Sequence, residues 1–136
     1  MKYAIAYLAA AVIFLGADFV WLSRVASGFY RERIGGLLLD QPNFAAAGAF
    51  YLFYIAGIVY FAVAPALAGG GIATSVIAGA LLGLLAYGTY DMTNLATLKN
   101  WSATVAMVDM AWGTFLTALS AGTAYLVVSR LFPTGA

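Results

Sequence analysis

The chain has 136 residues, 65% of them hydrophobic and 8% charged, with a formal net charge of +1 and a mean hydropathy of +0.97. A soluble domain carries about 25% charge, and a water-soluble chain of this length has no way to hide so much apolar surface. Balanced charge argues against a nucleic-acid partner, the absence of cysteine excludes disulfide and thiolate chemistry, and the absence of histidine excludes His-ligated haem and argues against a zinc enzyme.

Four apolar stretches reach the roughly 20 residues that a bilayer crossing takes. They predict one integral membrane domain, an all-α polytopic four-helix bundle over residues 1–136, with helices at about 3–23, 44–68, 72–96 and 102–130. The first begins Met1-Lys2 like a signal peptide, but it contains Asp18 and ends Trp21-Leu22-Ser23-Arg24 without a small-residue cleavage site, so it reads as a retained helix. After it comes a polar loop from Arg24 to Asn43, with Arg31-Glu32-Arg33 and Asp40-Gln41-Pro42-Asn43. Asn43 suits the N-cap of the second helix and Ser102 that of the fourth. Pro65 is placed to kink or stop the second helix, Gly69-Gly70-Gly71 makes a tight hairpin, and Thr97 to Ser102 makes a short loop with Lys99 and Asn100. Four crossings put both termini on one side with Lys2 and Arg130. The other side holds Arg24, Arg31, Arg33 and Lys99, which the positive-inside rule places in the cytoplasm, leaving both termini periplasmic.

Asp18, Asp91 and Asp109 lie inside the apolar stretches. A carboxylate in hydrocarbon is costly, so it faces the bundle interior and marks a candidate site. At about 1.5 Å per residue, Asp18 lies about 9 Å, Asp91 about 12 Å and Asp109 about 10 Å from the same membrane face. Phe14, Asp18, Trp21 and Val25 share one face of the first helix, and Tyr87, Asp91 and Asn94 share one face of the third, beside Tyr90 and Thr93. Asp109, Trp112, Gly113, Thr117 and Ser120 form a stripe on the fourth, and Tyr51 and Tyr54 enter the same leaflet from the second. Asp91, Asp109 and Asp18 are therefore the candidate catalytic residues. Tyr87, Asn94, Trp112, Trp21 and Tyr54 are the candidate substrate-binding residues. Plainer readings stand beside these: Trp21, Trp101 and Trp112 also suit an interfacial aromatic belt, Tyr51, Tyr54 and Tyr60 suit packing, the small-residue stripe suits helix contact, and the acids suit a structural hydrogen-bond network. With no Lys or Arg in the stretches around them, either one Asp is protonated at neutral pH, or a cation sits among them, or Arg24 or Lys99 folds back. A buried acid so placed can act as general acid or base.

The stretch Ala86-Tyr-Gly-Thr-Tyr-Asp-Met-Thr-Asn-Leu-Ala-Thr-Leu98, the stretch Val108-Asp-Met-Ala-Trp-Gly-Thr114, and the segments Asp18-Phe-Val-Trp-Leu22 and Phe29-Tyr30-Arg31 resemble domain of unknown function family 2177. The resemblance runs over roughly residues 5 to 130. It implies a bacterial four-helix inner-membrane protein with no established activity and a genomic association with lipid-modifying enzymes. A shared Asp-x-x-x-Leu at Asp18 and Asp91 raises the further expectation of two repeated helical hairpins.

No paired-Asp DDxxD motif, Walker A, dinucleotide glycine pattern or Gly-x-Ser-x-Gly elbow is present. No two of the intramembrane acids stand at i, i+3 or i, i+4, so no metal is expected, and no cofactor can be named. The expected function is a small inner-membrane protein whose Asp/Tyr/Asn pocket, in the cytoplasmic leaflet, binds or modifies a lipid or other apolar molecule. One alternative is a proton- or cation-coupled transporter acting as a dimer, and another is an auxiliary subunit without chemistry of its own. Membrane lipids are the expected partners, alongside a homo-oligomer or a larger membrane complex.

Overall fold

Without water to solvate it, backbone in a bilayer must bond within its own segment, and long runs of Ala, Leu, Ile and Phe do so as helices. The computed structural model describes residues 1–133, which contain no strand. The first helix, α1 (Lys2–Val20), passes through a π-helical stretch (Trp21–Ala26) into α2 (Ser27–Ile34) and a 3-10 turn (Gly35–Leu37). Next, α3 (Phe44–Ile58) runs into π-helical stretches at Val59–Val63 and Ala66–Gly70, followed by α4 (Gly71–Thr97) and α5 (Ala103–Leu131). Three helical runs are long and apolar enough to cross a membrane, namely Lys2–Leu37, Phe44–Thr97 and Ala103–Leu131.

The sequence expectation placed the end of the first helix near residue 23 and a loop from Arg24. Instead the helix continues to Leu37. Arg31, Glu32 and Arg33 are good helix formers, and the single Gly28 does not break the run, which tightens to a 3-10 turn only at Gly35-Gly36. The two expected N-caps are in place. The Asn43 side chain accepts from the Ala46 amide at 3.0 Å and the Ser102 hydroxyl from the Val105 amide at 3.2 Å. Pro65 does not stop the helix: it keeps helical dihedrals (φ −62°, ψ −34°) while supplying no N–H to the ladder, and the turns on either side are π-helical. The glycine turn does what its composition allows, with Gly69 at φ +128° and Gly71 at φ +76°, values that favour glycine. Beyond it, α4 packs back against both π-helical stretches.

α5 lies between α1 and α4 and packs against both, most extensively against α4. Gly113 makes the α4–α5 crossing close, because the Tyr87 ring occupies the place a Cβ would take there. The core is built from Ala6, Ala10 and Phe14 of α1, Ile55, Ile58, Ala62 and Val63 of the second run, and Leu116, Ala121, Ala124 and Val128 of α5. Polarity is arranged as lipid demands. Leu8, Val12, Phe19, Phe53, Leu85 and Met107 face outward, while Asp18, Ser75, Asp91, Thr117 and Ser120 are buried.

Candidate functional site

The π-helical stretch at Trp21–Ala26 sets up the site. Each π turn takes one more residue than an α turn, so the inward face expected to run from Asp18 and Trp21 to Val25 shifts onward. Val25 is 48% exposed and Ala26 is buried instead. From Ala26 the inward positions continue at i+4 through Tyr30 and Ile34. This brings the Tyr30 hydroxyl to Asp109, where it donates to Oδ1 at 2.7 Å.

The three aspartates fall into two neighbouring groups. Asp18, only 5% exposed, accepts from Trp112 Nε1 at 3.1 Å and lies beside the Tyr51 hydroxyl. Above it the Trp112 ring stacks on Trp21, with centroids 4.4 Å apart and planes 7° from parallel. The second group is Asp91, which is fully buried, and the half-buried Asp109. Their carboxyls are neighbours, as the short α4–α5 connection requires. Apart from the neighbouring Asp109 carboxyl, neither oxygen of Asp91 has a hydrogen-bond partner. No basic side chain reaches the acids, because among the described residues the ion pair is Arg33 with Glu32, at 3.7 Å on the surface.

Beside Asp91 and Asp109 lies a half-open cleft of about 440 Å³. Its wall comprises Tyr30, Tyr51, Tyr54, Tyr87, Tyr90 and Trp101 with the apolar Ile34, Leu38, Phe50, Ala86 and Val105. Edge-to-face contacts fix the rings: Phe14 meets Tyr51 and Tyr54, Tyr54 meets Tyr87, and Tyr90 meets Trp101. The Tyr54 hydroxyl is held by Thr117 Oγ1 at 2.8 Å. Trp101 Nε1 is buried and unpartnered.

Of the residues singled out from the sequence, Asp91, Asp109, Tyr87 and Tyr54 meet at this cleft. Asp18, Trp21 and Trp112 form the adjoining stack and do not line it. Asn94 does not line it either and is only half-buried, because the cleft wall leaves α4 after Asp91. Tyr60 is 72% exposed and remote. Sequence reasoning missed Tyr30, hidden in an expected loop, and treated Trp101 as a belt residue. An aromatic pair at Phe29-Tyr30 inside a polar stretch was the available signal. No group of three His, Cys, Asp or Glu side chains that could hold a metal ion occurs among the described residues.

A family model described as "Predicted membrane protein (DUF2177)" matches residues 3–126. No curated protein and no solved structure matches the chain.

Proposed function

The chain belongs to this family of predicted membrane proteins, DUF2177, and from that premise we propose that it crosses a bacterial inner membrane four times and binds a lipid or other amphiphile in its acid–tyrosine cleft. Four crossings follow from treating the Phe44–Thr97 run as two antiparallel arms. The turn at Gly69–Gly71 and the packing of α4 against the segments before it support that reading. The basic residues Arg24, Arg31, Arg33 and Lys99 support a cleft mouth in the cytoplasmic leaflet with both termini in the periplasm.

One observation carries the binding proposal: Asp91 is fully buried beside the cleft with no hydrogen-bond partner other than a second carboxyl, that of Asp109. An unsatisfied buried polar group costs about 1–3 kcal/mol, more when charged, so its presence calls for a partner. Trp101 Nε1 at the same cleft presents the complementary need for an acceptor. The size of the cleft and its mostly apolar, aromatic wall suit a small amphiphilic ligand. The acids are enclosed by helices of one chain, which favours a binding pocket over a transport path at a dimer axis.

The test is native mass spectrometry of protein extracted in mild detergent. Wild-type protein should carry a bound molecule, and Val105→Trp, which fills the cleft, should lose it while remaining helical. Retention of the same molecule by Val105→Trp would remove the cleft from the proposal.

A further inference from the structure

The cleft selects its ligand by charge. Two neighbouring carboxyls stand in it, Asp91 and Asp109, and one of their oxygens is occupied by Tyr30. The wall contains no Lys, Arg, Asn, Gln, Ser or Thr, so a ligand meets acceptors and ring faces. An anionic group meets only neutral donors there, the tyrosine hydroxyls and Trp101 Nε1, and would be repelled by the acids. Tyrosine and tryptophan rings carry a negative face that attracts cations, and Trp is the strongest of them. Five tyrosines and Trp101 surround the acids. A small hydrated metal ion fits poorly, because Mg²⁺ and Ca²⁺ take six or more oxygen ligands and the acids supply two carboxyls. An organic ammonium group answers the carboxyls and the ring faces together, leaving Trp101 Nε1 to an acceptor elsewhere on the amphiphile. Its N–H groups donate to the Asp109 and Asp91 carboxyls, its charge offsets theirs, and its carbon substituents lie against the rings.

We infer that the ligand of this cleft carries a primary ammonium group, held by Asp91 and Asp109 and caged by the surrounding tyrosines and Trp101. The inference rests on the cleft being a binding site for an amphiphile and adds the chemistry of its head. Two sources share that chemistry, an aminolipid headgroup and a water-soluble amine.

The experiment compares dodecylamine with dodecanol, at equal mole fraction in nonionic detergent micelles, by quenching of intrinsic tryptophan fluorescence. The amine should bind about tenfold more tightly than the alcohol, the effect of one charge-assisted contact. Asp91→Asn should erase most of that difference, and a cooperative thermal unfolding curve in the same detergent reports that the variant is folded. Equal affinities for wild-type protein would overturn the ammonium assignment and leave the amphiphile reading standing, whereas no binding of either would sink both. Competition by butylammonium separates the sources. Displacement of dodecylamine at equal concentration points to a soluble amine, and a need for large excess points to an aminolipid; either supports the ammonium site. Displacement by millimolar Mg²⁺ but not by butylammonium would overturn it in favour of an inorganic cation.

Discussion

Each intramembrane aspartate is satisfied differently, so conservative changes should separate them. Asp91 has no hydrogen-bond partner within the chain other than the neighbouring Asp109 carboxyl. Asp91→Asn keeps a side chain able to bond to that carboxyl and removes a like charge beside it, where desolvation of a charge costs several kcal/mol. It should unfold in detergent at the same temperature as wild type or higher; a marked fall would show that the carboxylate holds the bundle together. Asp18→Ala is the opposite case, because it strands Trp112 Nε1. A buried donor without a partner costs about 1–3 kcal/mol, so its melting temperature should drop and its Trp fluorescence should change. Tyr30→Phe deletes the hydroxyl that reaches Asp109, with an expected cost of about 1 kcal/mol and faster amide exchange confined to α2. Much of this residue level was legible beforehand. Asp91 and Asp109 could be matched in depth because helical rise is constant and the loop between their helices is short. Tyr30 could not, because its inward position depends on a change of helical period inside Trp21–Ala26 that side-chain composition does not announce.

At the level of elements, the π-helical stretch acts as a register device. Deleting Ser23 should restore α-helical winding and turn α2 by about 100° relative to α1, the angle of one residue at 3.6 per turn. The chain has no cysteine, so Cys introduced at Tyr30 and Asp109 gives a clean readout. The pair should be joined by a short bifunctional thiol reagent, which spans the reach of the lost tyrosine ring, in the full-length background and not when Ser23 is absent. Cross-linking in both would mean that Tyr30 reaches Asp109 for some other reason. The α4–α5 crossing should be similarly sensitive at Gly113, where a methyl group meets the Tyr87 ring. Overpacking of this kind costs about 1–3 kcal/mol, and Gly113→Ala should both lower the melting temperature and disturb the cleft, since Tyr87 lines it. The N-caps and the glycine turn were readable because they depend on a single residue type at a single position. The continuation of the first helix to Leu37 was not, because Arg and Glu look like loop residues in a membrane chain yet favour helix wherever water reaches them.

At the scale of the whole molecule, orientation is the open quantity that labelling can fix. A cysteine at Asn100 should resist a membrane-impermeant thiol reagent in intact cells, and one at Ala68 should react. The reverse pattern would turn the cleft mouth toward the periplasm. Overall class was legible from composition, since a chain this apolar has one kind of solvent available. The arrangement of the helices around α5 was not, because stripes of Gly, Ala, Ser and Thr mark that a face is in contact without saying with which neighbour.

The glycine turn has a consequence for how the protein is made. From Gln41 to Tyr90 the chain contains no charged residue, and the turn at Gly69–Gly71 falls near the middle of that interval. A charged residue at the centre of a bilayer costs about 2.5–3.5 kcal/mol during insertion by the cellular machinery; this hairpin brings a single acid, Asp91, near the far end of its second arm. Its two arms can slide into the membrane together as they leave the ribosome, tip first, before the final helix has been synthesised. The groove that receives α5, with the Tyr87 ring on one wall, would then already be standing when Gly113 arrives.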